Sequence, residues 1–400
     1  MASVQAKEGM PHLFAGLIAS GLVAAVLLGA EIMAVRLEHA TIRSTAPELF
    51  PLKNQGLAFQ RAAARAPNVL PLYASSELNA VLVPERAHVF FRTAPTGFQI
   101  SPVGAGGASC LTMSQKLAAL GSDLRAKKIA ISLSPPWFLT RDPGREGYNG
   151  NFSVMAAKEM VFGTALDFEL KREIASRMLN YPRTLEESPF LDFVLKRLAS
   201  ERWLDHLVFW ALWPVGKSQT IILELQDHVA AFSRIRHKIK PAAPFHPETL
   251  DWSKLIADVS GTKSATRADK VTKASSPNEG RTVGYRDEAF REDMNASPGW
   301  TDLELLLRTL AKIHARPLLL SMPLAGDFYD EKGVSRSARK HYYAKLRALV
   351  QRYHFPLLEF EGHDEDPAFL YLQKSHLNAK GWIYYDRALD DFFHGRAPRS

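Results

Sequence analysis

Cysteine is almost missing from this 400-residue chain: Cys110 stands alone. An intrachain disulfide framework is therefore excluded, and so is any multi-cysteine zinc site. Strong charge of one sign is missing too. Fifty Lys and Arg against 42 Asp and Glu leave +8, and the surplus is spread along the chain. It favours an anionic neighbourhood such as a membrane surface and marks no nucleic-acid patch. No internal repeat is present. The one glycine-rich loop, Gly104-Ala105-Gly106-Gly107-Ala108-Ser109, has neither the GxGxxG form nor the Lys-Ser/Thr ending of a P-loop, which argues against a nucleotide site. At 46% hydrophobic and 23% charged residues, the chain is neither disordered nor polytopic in a membrane.

What is present begins with one apolar run, Leu13 to Ala30, uncharged throughout and ended by Glu31. A bilayer core of about 30 Å needs roughly 20 helical residues. The run is expected to be a single membrane anchor within residues 1–36, ahead of a long body at 37–400. A cleaved signal peptide and a buried core helix are the competing readings. Lys7 precedes the run and Arg36 and Arg43 follow it, so flanking charge does not orient it.

The body alternates strand and helix. Residues 37–68 read as a helical approach. Strands are expected at 69–74, at 88–91 (HVFF), at 128–134, at 317–323 and at 355–360. Helices are expected at 111–120, 302–314, 337–353 and 381–393. That order predicts an α/β fold with a parallel sheet covered by helices. Residues 153–250 read as a helical insertion, broken near Pro182 and Pro214. Residues 253–299, poor in large apolar side chains around 260–281, read as a loop or mobile linker.

Ligands of a parallel sheet gather at its strand ends. Ser75 and Ser76 follow the first strand directly. A serine there can be a nucleophile, with backbone N–H groups nearby to hold an oxyanion; the competing role is a helix N-cap. A serine nucleophile needs a base, usually histidine. Of 13 histidines, His206, His228, His237 and His314 read as surface residues, while His376 lies in a loop before the last helix and can return to the same sheet edge. The loop at 104–107 suits backbone approach to an oxyanion.

These pieces, in this order, resemble the DltD family, the D-alanine transfer proteins of the dlt system. Leu70 to Leu78 (LPLYASSEL) is similar to the family's strand and G-S-S-E-L block, and Val103 to Gly107 to its V-G-x-G-G block. Ser134 to Phe138 (SPPWF), followed by Asn151-Phe152-Ser153, is similar to S-P-x-W-F. Phe328-Tyr329-Asp330 with Gly333 is a fourth match, and His376-Leu377 followed by Lys380-Gly381-Trp382 is the last.

The resemblance implies an SGNH-hydrolase-like three-layer fold, one N-terminal transmembrane helix and a catalytic domain outside the plasma or inner membrane. It implies D-alanyl transfer onto a cell-envelope polymer, teichoic acid or another surface glycan, without metal or cofactor. The implied partners are a membrane-bound O-acyltransferase and a D-alanyl carrier protein. By position, Ser76 is the nucleophile and His376 its base. The N–H groups of Ser76 and Gly106 are the oxyanion donors, and Ser75, Gly107 and Trp137 complete the substrate-binding set. Two positions depart from the pattern. Ala74 replaces the glycine that opens the serine block. Gln373 stands where SGNH enzymes carry the aspartate that orients the histidine. Asp366 or Asp364 is then expected to take that role, or Ser and His to act as a dyad. Two other functions stay open: a non-catalytic membrane scaffold and a carbohydrate O-acetyl esterase.

Overall fold

The computed structural model describes residues 10–141, 145–238, 245–261, 286–371 and 375–399. Helix α1 (Met10–Thr45) carries the apolar run and continues past it into the body. At about 1.5 Å per residue, its 36 residues are long enough to cross a bilayer and still dock. Leu13 to Met33 expose their apolar side chains, whereas Glu38, Ile42 and Ala46 are buried. Among the described residues, this is the one helix both long and apolar enough to span a membrane.

Helices α2 (Pro51–Gln55) and α3 (Ala58–Arg65) lead to β1 (Val69–Tyr73). After a 3-10 turn at Ser76–Leu78 come α4 (Ala87–Phe90), β2 (Gln99–Val103), α5 (Cys110–Leu120) and β3 (Lys128–Leu133). The helical stretch holds α6 (Arg145–Asn151), α7 (Val154–Phe162), α8 (Phe168–Met178), α9 (Pro182–Leu185), α10 (Pro189–Ala199) and α11 (Trp203–Lys238). Next are α12 (Trp252–Gly261), α13 (Asp287–Ala296), α14 (Gly299–Lys312) and β4 (Arg316–Ser321). The chain closes with α15 (Gly326–Glu331), α16 (Arg336–Gln351), β5 (Leu357–Glu359) and α17 (Ala379–Phe393).

All strand pairs are parallel, in the order β2-β1-β3-β4-β5. Strands buried on both faces are continuously apolar, as VLPLY and the central PLLL of RPLLLS are. Alternate residues feed two cores. Tyr73, Ile129, Ile131 and Leu319 face the helices α5, α7, α8 and α14. Leu72, Ala130, Leu318 and Leu320 face α17, where Trp382 and Tyr385 pack. The result is the expected three-layer α/β fold.

Three local expectations are corrected. HVFF is not a strand: Ala87–Phe90 forms one helical turn, closed by the Val89 and Phe90 N–H groups on the Arg86 carbonyl at 2.7 and 2.8 Å. The edge beside β1 is taken by Gln99–Val103 instead, and Pro102 is tolerated because β2 is the outermost strand. Pro214 does not break α11. Phe209 and Gly216, one on each side of it, both pack on Phe162 and hold a single helix together. Finally, His228 is not on the surface: it is buried, with Nδ1 2.7 Å from Glu38 of α1.

The expected insertion at 153–250 contains α7 to α11. The expected linker at 253–299 overlaps α12 and contains α13, and its centre, 262–285, lies outside the described residues. Helix α12 is held by Trp252, whose indole N–H donates to Asp390 at 3.1 Å.

Candidate functional site

The chain runs from β1 to β2 on one side and then to β3 on the other, so the order reverses between β1 and β3. A crevice opens at the carboxyl ends of strands on either side of such a reversal. Ser75 and Ser76 sit there, two and three residues beyond Tyr73, the last residue of β1. Neither hydroxyl caps the turn that follows. The Ser75 hydroxyl reaches toward the Ala105 carbonyl at 3.5 Å, and the Ser76 hydroxyl lies 2.8 Å from His376 Nε2.

His376 arrives from 300 positions away. Its loop is pinned by the Leu370–Leu377 bridge, by the Tyr371 N–H on the His376 carbonyl at 2.8 Å and by the Asn378 N–H on Phe369 at 3.0 Å. Asn378 then caps α17. Burial lowers the His376 pKa from the ordinary imidazole value, which favours the neutral ring, whose Nε2 accepts a proton. Its Nδ1 is buried and has no hydrogen-bond partner among the described residues. Gln373 lies outside the described residues.

The glycine loop is pressed against the serine. At Gly104, with φ at +141°, a Cβ would overlap the Ala74 carbonyl. At Gly107, with φ at +83°, it would overlap Gly147. At Gly106 it would sit 3.7 Å from the Ser76 Cβ. Among the described residues, the backbone N–H groups of Ser76 and Gly106 donate to no protein group. Free N–H groups beside a reactive hydroxyl are what an oxyanion needs.

A buried polar chain braces this loop. The Asn151 side-chain amide donates to the carbonyls of Gly106 at 2.9 Å and Gly147 at 3.0 Å. Asn54 donates to Asn151 at 3.2 Å, and the Lys116 ammonium donates to Asn54. Burial brings the Lys116 pKa down to about 7. None of the three was singled out from the sequence as a site residue. Asn151 stood only in the N-F-S match, and Lys116 lies in a helix whose neighbours are apolar. Beneath the serines, Glu77 is buried with its carboxyl pKa raised by desolvation, opposed by the Ser75 backbone and the Ser132 hydroxyl.

The structure thus brings Ser75, Ser76, Gly106 and His376 together. The two candidate carboxylates, Asp366 and Asp364, are engaged elsewhere. Asp366 pairs with Lys380 at 2.7 Å and His363 at 3.6 Å and accepts from the Ala368 N–H, with no bond to His376. The Trp137 carbonyl accepts from Ser297 at 3.0 Å, and its ring lies beside Phe138. Asp364 accepts from Tyr343 at 2.5 Å and the Leu324 N–H at 3.0 Å, and burial lifts its pKa to about 7. Among the described residues, no group of three or more His, Cys, Asp and Glu side chains is placed to hold a metal.

The profile of the family described as DltD protein matches residues 46–394. The Protein DltD of Bacillus subtilis (strain 168) is 28% identical over 371 residues, covering 88% of this chain and 89% of the relative. The Protein DltD of Staphylococcus aureus is 22% identical over 391 residues, covering 96% and 95%. That of Lacticaseibacillus rhamnosus is 24% identical, covering 93% and 89%. One membrane-length helix ahead of a separate body is the layout of a single-pass membrane protein with an extracytoplasmic domain. The match runs through both the serine block and the histidine loop, and the chain belongs to the DltD family.

Proposed function

We propose that the protein transfers D-alanyl groups onto a cell-envelope polymer, teichoic acid or another surface glycan, through an acyl-enzyme on Ser76. The observation that carries this reading is the 2.8 Å approach of His376 Nε2 to the Ser76 hydroxyl. Ser76 Oγ attacks the carbonyl carbon of a D-alanyl ester or thioester while His376 Nε2 takes its proton. The oxyanion that forms is held by the Ser76 and Gly106 N–H groups. Collapse expels the alcohol or thiol, which takes the proton back from His376, and leaves D-alanyl-Ser76. A polymer hydroxyl then attacks this ester and gives its proton to His376, which returns it to the departing Ser76 oxygen. Water in place of the polymer gives esterase turnover. No metal or cofactor enters these steps.

The membrane-bound O-acyltransferase of the dlt system and the D-alanyl carrier protein are the proposed partners. Family membership and the anchor support acting beside them. The orientation of His376 comes from its packed loop, with Asp366 engaged elsewhere, which favours a Ser–His pair over a triad through Asp366. The test is surface D-alanine in cells carrying Ser76→Ala or His376→Ala in place of the native chain. Loss of esterification with normal membrane abundance supports the reading. Wild-type esterification by both variants overturns it and leaves the scaffold function.

A further inference from the structure

Helix α11 has two unlike faces. Phe209, Thr220, Asp227 and Ala231 are buried against the body. The outer face is apolar, from Leu207 and Val208 through Ile221 and Ile222 to Val229 and Phe232, all exposed. From Leu204 to Ser233 the exposed polar residues are Ser218, Gln226 and Ser233, none of them charged. The charged side chains of this stretch turn inward and are paired. Asp205 meets Arg197, Lys217 meets Glu159, Glu224 meets Arg61, and Asp227 accepts the N–H groups of Leu57 and Ala58. The strip runs roughly 45 Å at the helical rise, which is more apolar surface than a body standing free in water exposes without purpose.

Its position says what covers it. Helix α11 meets α1 where the exposed apolar part of α1 ends: Glu224 and His228 adjoin Glu31, Val35 and Glu38. It does not run beside the membrane-crossing part, because Leu13 to Met33 are exposed. It therefore leaves α1 at the level of the membrane exit. Exposed cations bracket the strip, with Arg202 just before α11, Arg236 at its end and Arg36 on α1 beside the exit. Apolar residues with Trp203 and Trp210 on one face, and cations at the margins, are the pattern of a helix lying in the plane of a bilayer surface.

We propose that the outer face of α11 lies in the interface of the same bilayer that α1 crosses, as a second, in-plane membrane contact that fixes how the body sits on the membrane. The test uses the full-length chain in vesicles of phosphatidylethanolamine and phosphatidylglycerol. Val208→Cys, Ile222→Cys and, as a control on the exposed surface of α16, Lys340→Cys are labelled with a fluorophore. Cys110 is buried and does not compete. At low protein-to-lipid ratio, the labels at 208 and 222 are expected to be quenched by lipids with a nitroxide near the headgroup and shielded from iodide, and the label at 340 the reverse. Equal iodide access at all three positions overturns the proposal. So does shielding that grows with protein-to-lipid ratio, the mark of a second copy, or shielding that needs other membrane proteins, the mark of a protein partner. Should the substituted chains fail to fold, the native tryptophans serve: three of the seven lie on α11. Brominated lipids are expected to quench part of their emission, and no quenching overturns the proposal.

Discussion

Asn151, wholly buried at the end of α6, holds the carbonyl of Gly106 at 2.9 Å from across the glycine loop. In a trans peptide the carbonyl and the N–H it shares point opposite ways, so a side chain that fixes one carbonyl fixes the backbone that presents the neighbouring donors. The candidate oxyanion site depends on a residue that touches neither the serine hydroxyl nor the imidazole.

Asn151→Ala should leave the protein folded and lower ester cleavage by about tenfold to a hundredfold, because it loosens the donors without removing one outright. The fall is expected in kcat rather than KM. Steady-state kinetics on a chromogenic ester, beside a thermal melt, measures both.

Gly104→Ala should be more damaging. Its φ of +141° strains an L side chain, and the new methyl would collide with the Ala74 carbonyl next to the serine block. A loss of about 1–3 kcal/mol in stability is expected, read as a lowered urea midpoint, with activity falling as the loop is displaced.

Activity should rise with pH through the titration of His376. Burial lowers its pKa below 6.5, and only the neutral ring accepts the Ser76 proton. The acidic limb of the kcat/KM profile is therefore expected to have its midpoint below 6.5. A midpoint above 6.5 would mean that an anion contacts the free Nδ1 and favours the charged ring.

Asp366→Asn should act on stability more than on turnover. The carboxylate pairs with Lys380 at 2.7 Å, both groups being about one-fifth exposed, so a cost of up to about 1 kcal/mol is expected. Activity close to that of the unsubstituted chain is the matching expectation, set against the large loss in His376→Ala. Parallel melts and ester assays of the two variants check both.

Much of this was legible in the sequence where burial imposes a pattern. Strand β1 is a continuous apolar run, and β3 and β4 are mostly apolar, because all three are covered on both faces, and the end of β1 led directly to Ser76. Strand β2 was hidden because Pro102 argues against a strand unless its edge position is known, and HVFF has the stronger β composition. Pro214 signals a break that the packing of Phe209 and Gly216 on Phe162 overrides. His228 and the Lys116–Asn54–Asn151 chain are buried polar groups whose partners lie 190, 62 and 97 positions away, beyond any local periodicity. The pairing of Ser76 with His376 was expected from the resemblance and from sheet geometry. The exposed apolar face of α11 was not foreseen, because reading it as a helical insertion said nothing of which side faces the body.

The central claim is a covalent one, and peptide mass spectrometry tests it most directly. The full-length chain is incubated with a D-alanyl thioester, quenched in acid and digested. The account predicts one added D-alanyl group on the peptide carrying Ser76, absent in Ser76→Ala and strongly reduced in His376→Ala. No adduct on the unsubstituted chain, or an adduct that persists when Ser76 is replaced, would contradict it.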